Sequence, residues 1–277
     1  MKQLFIVMTL LFSINLLAFT DSDFDGVEDA VDRCPNTPFT DLVDISGCAK
    51  KSLVSPHHYD IIVGASYSDS DYQTLNLTNT LATSIQVDYY YKNFSLQAST
   101  AYFSTSSDSF SDTGFYDSFI GAAYQFRPLE KLSLRVSAGA LLPTYETTLN
   151  NNKTDYTASV NLSYGLGNVN IFGGYGYTMI NDDDVAITDG NFTTEVVYQN
   201  TSAYNAGLGY YFTDKLYLSG SYNVSNSIYD GIEDIETASV YGYYSFGEHW
   251  FSTFSYAKGL SDSASKNYAS LRLGYFF

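Results

Sequence analysis

Asp21, Asp23 and Asp25 stand at every second position, Gly26 follows, and Asp29 and Asp32 come next. With Asp21 as the first position, acids fall at 1, 3, 5, 9 and 12, with Gly at 6. A hard cation such as Ca2+ takes six to eight oxygens, and a short loop wraps one only if alternate side chains turn inward. Gly26 permits the sharp bend, and the backbone carbonyl of Val27 would add a further ligand. Carboxylates this close repel one another without a counter-ion. The alternative is a solvated acidic linker. Two cysteines follow, Cys34 and Cys48. In an exported chain they are expected to form a disulfide. Paired metal ligands in a cytosolic chain would need two more thiols or histidines nearby.

The spacing matches the first half of an EF-hand loop. It departs at position 12, where Asp32 replaces the usual Glu, and no strong helices flank it. With CPNTP at 34–38 and VDISGC at 43–48, the segment resembles a bacterial thrombospondin type-3 repeat. That resemblance implies Ca2+ held by Asp21, Asp23, Asp25, the Val27 carbonyl, Asp29 and Asp32, braced by a Cys34–Cys48 bridge. Such repeats also link barrels to peptidoglycan-binding domains in outer-membrane protein A-like proteins. Here the repeat is single, stands at the N-terminus, and no peptidoglycan domain accompanies it.

The other end of the chain reads NYASLRLGYFF. Ala269, Leu271, Leu273, Tyr275 and Phe277 fall on one face, and Ser270, Arg272, Gly274 and Phe276 on the other. A terminal aromatic preceded by apolar residues at every second position resembles the last strand of bacterial outer-membrane proteins. In that family Leu273, Tyr275 and Phe277 would form the sorting signal read by the barrel-assembly machinery.

The same period-two rhythm runs through the chain from about Tyr59. Tyr59, Ile61, Val63, Ala65 and Tyr67 form one row. Ile85, Val87, Tyr89 and Tyr91 oppose Ser84, Gln86, Asp88 and Tyr90. Leu132, Leu134, Val136, Ala138 and Ala140 oppose Ser133, Arg135, Ser137 and Gly139. Such rows number about twelve, an even count as single-chain bacterial barrels have. The row of Trp250, Phe254 and Tyr256 is the least regular. Connections alternate short and long. Short ones lie near Lys92-Asn93, 127–131, 165–168, 213–215 and 247–249. Long ones cover roughly 68–81, 104–115, 143–155, 179–200, 225–236 and 258–266. The fold expected is all-β: a transmembrane antiparallel up-and-down barrel over 56–277, preceded by a small disulfide-linked calcium-binding segment over 19–55. Both termini then fall in the periplasm of a Gram-negative cell. A soluble antiparallel sandwich would not need aromatic ends on nearly every row, whereas a membrane girdle does.

Composition agrees, with 27 Tyr and 19 Phe in 277 residues. MKQLFIVMTLLFSINLLAFT reads as a secretory leader with Lys2 as its positive region and cleavage after Ala18, giving a signal peptide over 1–18. A retained membrane anchor is the other reading. No later apolar run is long enough for a spanning helix. The formal charge of −17 excludes a nucleic-acid partner.

The inward rows are mostly Ser, Gly, Asn, Gln and Thr, with Asp60, Asp88, Arg127, Arg135 and Arg272 expected in the lumen. Asp60 and Arg272 could pair across the seam between the first and last strands. Small inward residues suggest a narrow passive channel for small solutes. The alternative is a non-conducting structural or adhesin-type barrel acting through its external loops. An outer-membrane hydrolase would need a His near a Ser or an acid; His57 and His58 precede the first strand and His249 sits in a periplasmic turn, none on an external loop or in a lipid-facing cleft, so catalysis is rejected. The longest loop carries Asp182, Asp183 and Asp184, then Asp189, Phe192 and Glu195. It could collect bridging divalent ions, or be a solvated tip. The calcium repeat would form a knob beside the periplasmic opening, bracing it or docking a periplasmic partner.

Overall fold

The computed structural model describes residues 23, 27–29, 31–35, 37, 42–43, 46–50, 57–71, 77–108, 110–145, 153–189 and 192–277. The leader expected over 1–18 lies outside them, as do Asp21 and Asp25. Among the described residues no helix is long and apolar enough to cross a membrane.

Twelve antiparallel strands close into a ring. They are β1 (His57–Ser70), β2 (Thr78–Tyr91), β3 (Phe94–Ser106), β4 (Ser118–Leu129), β5 (Leu132–Leu142) and β6 (Asp155–Leu166), then β7 (Val169–Met179), β8 (Thr201–Thr213), β9 (Leu216–Ser225), β10 (Ile235–Ser245), β11 (Trp250–Gly259) and β12 (Asn267–Phe276). Each pairs with its neighbours in chain order. The ring closes where β12 meets β1, with Phe276 opposite Asp60, Leu273 opposite Val63 and Ala269 opposite Tyr67. Closure leaves no unpaired sheet edge, which a hydrocarbon environment demands.

Period two decides the faces. Tyr59, Ile61, Val63 and Tyr67 point out and are exposed, while Asp60 and Ile62 between them are buried. The outward band is aliphatic at mid-height, with Ile85, Val136, Val160, Ile171, Leu208 and Val240. Two aromatic rings bound it. One, at the short-turn end, includes Tyr59, Phe126, Tyr210, Phe212, Phe246 and Trp250; the other, at the long-loop end, includes Tyr67, Tyr102, Tyr156, Tyr175, Tyr204 and Tyr256. Amphipathic rings at two levels with aliphatic residues between are what two membrane–water interfaces select.

The strands run further than the apolar rows do. β2 starts at Thr78 rather than in the mid-eighties, because Thr78 and Thr80 continue the inward alternation while Asn79 and Leu81 continue the outward one. The long connections also carry structure of their own. Ser111–Phe115 extends the outer edge of β3, and Val185–Asp189 pairs with Phe192–Val196 as a hairpin. The short turns are tight; Gly167 supplies a φ of 67° in one of them.

Two register shifts occur at the short-turn end, between Phe126 and Leu129 on β4 and between Tyr211 and Thr213 on β8. Bulges re-aim side chains. Arg127 sits within the first, and Asp214 just beyond the second.

Candidate functional site

The acidic segment is built into the barrel, whereas the sequence had suggested a knob beside its opening. Val27 and Val31 are buried in one apolar cluster with Ile62, Tyr211, Tyr217, Tyr243 and Phe251, all inward-facing at the short-turn end. Asp23 is 2% exposed and forms an ion pair with Arg127. Arg127 also donates to the Thr37 carbonyl at 3.2 Å. Asn170 on β7 donates to the Asp29 carbonyl at 2.9 Å. Arg33 pairs with Asp214 and lies over the Tyr211 ring, 5.7 Å from its centroid. The segment therefore meets β4 and the adjacent pair β7 and β8, with their turns.

The seat has a structural cause. Tyr217 lies across Gly209 and Phe251 across Gly274, so that a Cβ at either glycine would overlap the ring. Small residues on the neighbouring strands let these aromatics lie along the wall. Cys34 and Cys48 are disulfide-bonded, with Cα atoms 4.9 Å apart. Beside the bridge, Leu42–Val43 pairs with Ala49–Lys50 just beyond Cys48, and the Arg33 N–H, just before Cys34, donates to the Ser46 carbonyl at 2.8 Å.

Asp32 accepts the Cys34 N–H at 2.8 Å. Among the described residues no three His, Cys, Asp or Glu side chains gather as a metal-ligand set. Asp23 is turned to the Arg127 guanidinium.

Above the seat, the lumen holds a cavity of about 440 Å³. Ser137, Ser159, Asn161, Ser221, Asn223 and Ser239 line its wall, and Glu28 and Asp29 reach it from the segment. The wall hydroxyls pair between adjacent strands: Ser137 with Ser159 at 2.6 Å, Ser221 with Ser239 at 2.7 Å, and Ser255 with Ser270 at 2.7 Å. Such a lining offers exchangeable hydrogen bonds to a small polar solute.

Asp60, Asp88 and Arg135 are buried on the inward face, and Arg135 and Arg272 border the cavity. The expected Asp60–Arg272 pair across the seam is corrected by the register. Arg272 stands opposite Gly64 and Asp60 opposite Phe276, four residues apart along β1, or about 13 Å at strand rise. Arg272 donates instead to Gln86, while Asp60 accepts from the Tyr90 hydroxyl at 3.2 Å.

A second apolar cluster gathers at the long-loop end. It joins Ala82, Phe103 and Ile235 of the wall to Tyr116, Tyr145, Val196 and Tyr229 of the connections. Burial, with the nearby carboxylates of Asp112 and Asp117, pushes the Tyr145 phenol up to about 12. Of the acid triplet, Asp183 pairs with Lys153 at 2.6 Å, Asp182 accepts the Lys153 N–H at 3.1 Å, and Asp184 accepts the Tyr198 N–H at 2.9 Å. These carboxylates tie loops together.

The histidines are aromatic partners at the short-turn end. His57 bonds Tyr89 at 2.6 Å, His58 stacks on Phe276 at 5.3 Å between centroids, and His249 stacks on Tyr275 at 5.6 Å. In the terminal strand, Leu273 and Phe277 lie on the outward face, and Tyr275 packs between Trp250 and Phe277.

Sequence reasoning missed the seat. Its signal was present: Tyr211, Tyr217, Tyr243 and Phe251 interrupt the small polar inward rows close to the short turns, and Val27 and Val31 are apolar residues of an acidic stretch.

No protein-family model matches this chain, and no curated protein matches it. Solved structures do share its fold. An outer-membrane channel from Pseudomonas putida F1 superposes with a TM-score of 0.65 at 12% identity, over 79% of this chain and 95% of that one. The NanC porin superposes with a TM-score of 0.53 at 12% identity, over 78% of this chain and 98% of that one. At such identity the likeness is one of fold, and the fold is a closed twelve-strand membrane-type barrel.

Proposed function

We propose that this protein is an outer-membrane barrel that passes small solutes through a narrow polar lumen. The observation that supports the reading most is the 440 Å³ cavity, in whose wall paired Ser hydroxyls and Asn amides stand beside Phe119, Phe172 and Tyr241, inside a ring with an apolar exterior. Weak, repeated polar contacts let a solute enter and leave, as conduction requires. The channels among its structural neighbours point the same way. In this reading the short turns and both termini face the periplasm, and the long loops face outward.

The test is planar-bilayer conductance of the pure, folded, mature protein. Discrete channel steps are expected. Steps from neither this protein nor a variant with the N-terminal segment removed would overturn the reading. The seated segment favours a second one, a closed structural or adhesin-type barrel, which silence in both preparations would support.

Two further parts belong to the proposal. The carboxylates of Asp21, Asp23, Asp25, Asp29 and Asp32, with the Val27 carbonyl, take up Ca2+ when the segment is free of the lumen. The terminal strand, through Leu273, Tyr275 and Phe277, is read by the barrel-assembly machinery. Removing Phe277 is expected to lower the heat-modifiable, membrane-assembled fraction about tenfold, the factor that loss of roughly 1.5 kcal/mol of one aromatic's buried contact would give. Unchanged assembly would argue against a terminal signal.

A further inference from the structure

We propose that the N-terminal acidic segment is a displaceable plug of the short-turn mouth, locked by the Asp23–Arg127 ion pair, and that its withdrawal opens the lumen. The inference rests on the channel reading above, and extends it to how the channel is controlled.

Four observations carry it. First, the segment is fastened to the wall by Asp23 to Arg127 at the β4 bulge and, on the adjacent strands, by the Asp29 carbonyl to Asn170 on β7 and Arg33 to Asp214 in the β8–β9 turn, while its apolar cluster takes in Ile62 of β1 and Phe251 of β11. Second, Val27 and Val31 sit among inward aromatics, so they fill space that would otherwise be water. Third, Glu28 and Asp29 form part of the cavity boundary, which places the segment between the cavity and the short-turn end. Fourth, the fastenings differ in kind from the barrel's own. The strands hold one another by continuous ladders, whereas these contacts to the wall are side-chain contacts and a small apolar patch. Such a unit opens locally at a fraction of the global unfolding cost. It can leave without breaking a ladder.

Arg127 is a positioning residue here. Its guanidinium is mostly shielded and Asp23 almost wholly so, at 13% and 1% side-chain exposure. Two like charges in that site would be incompatible with seating.

The test is a charge swap in the full chain. Asp23→Arg changes a residue outside the barrel strands, so barrel assembly, followed by heat-modifiable mobility, should be unaffected. Two signals are read: tryptic cleavage after Arg33, detected as the fragment beginning at Cys34, and open probability in a bilayer. Asp23→Arg is expected to raise both at least about tenfold. Adding Arg127→Asp restores the pair in reverse and should return both to the original level. Cleavage unchanged by Asp23→Arg would overturn the lock. A rise that the swap fails to reverse would overturn it too, leaving an effect of lumen charge alone. Faster cleavage, reversed by the swap, with no conductance in any variant would overturn the gating role and the channel reading together, leaving a seated segment on a closed barrel.

Discussion

Reversal potentials across a salt gradient are expected to show cations preferred over anions by about tenfold at low ionic strength. The reason is where the charges lie. Among the described residues, the long-loop end, taken as those beyond the strands' mid-height on that side, holds sixteen carboxylates and three Lys or Arg. Two of those lysines are already engaged, Lys153 by Asp183 and Lys266 by Asp71. The lumen is closer to balance, since Arg135 and Arg272 share it with Asp60, Asp88, Glu28 and Asp29. The mouth therefore decides selectivity. Its field reaches about one Debye length, roughly 10 Å at 0.1 M salt and 3 Å at 1 M. Selectivity should accordingly fall several-fold between those concentrations. Glu233 and Asp234 are exposed in the connection before β10, and neutralising both as Gln and Asn should lower it in part without altering assembly. Equal permeation of cations and anions at low salt would mean that solutes do not pass this mouth.

The barrel was legible because period two is a strong constraint when one face meets lipid. Every outward row from Tyr59 to Phe277 had to be apolar, and alternating turn lengths then fixed the up-and-down order. What was hidden is set by other forces. Alternation assigns a residue to a face but does not say what fills the space it faces, so Tyr217 and Phe251 could not be told from girdle aromatics that had lost their parity. Register is invisible in a single sequence, and the shear between β12 and β1 separated Asp60 from Arg272. The bulge at Arg127 lies where the sequence suggested a turn. Pro128 and the charged run after it are good turn signals, yet the ladder continues to Leu129, with Arg127 on the inward face that alternation gives it. The acidic segment was read correctly as disulfide-closed. Its position was not, because the acids dominated the reading and the two valines among them were passed over.

Those valines and Asp23 decide what calcium should do. In the seated arrangement Asp23 faces Arg127, so a cation that uses Asp23 must compete with a guanidinium and with burial of Val27 and Val31. Burial of two valines opposes release by about 3 kcal/mol at the lower end of the usual range, and the shielded ion pair adds to it. A ligand that binds only the released segment shifts the equilibrium by a factor of 1 + [L]/Kd, about a hundredfold at a hundred times Kd, or roughly 2.7 kcal/mol. That is comparable with the opposing contribution and does not exceed it by much. The segment in the unmodified protein should therefore stay mostly seated in millimolar Ca2+, while its rate of cleavage after Arg33 rises up to about a hundredfold over a chelator control. Val31→Ser, which weakens the seat without touching a carboxylate, should turn that rise into a mostly open population. Mg2+ at equal concentration is the control for ionic strength, because it dehydrates reluctantly and suits a flexible carboxylate loop poorly. Slower cleavage in Ca2+ would mean that the ion binds the seated segment and strengthens the plug. Unchanged cleavage in both the parent and Val31→Ser would mean that these acids hold no calcium, and that Arg127 is the cation for which Asp23 is placed.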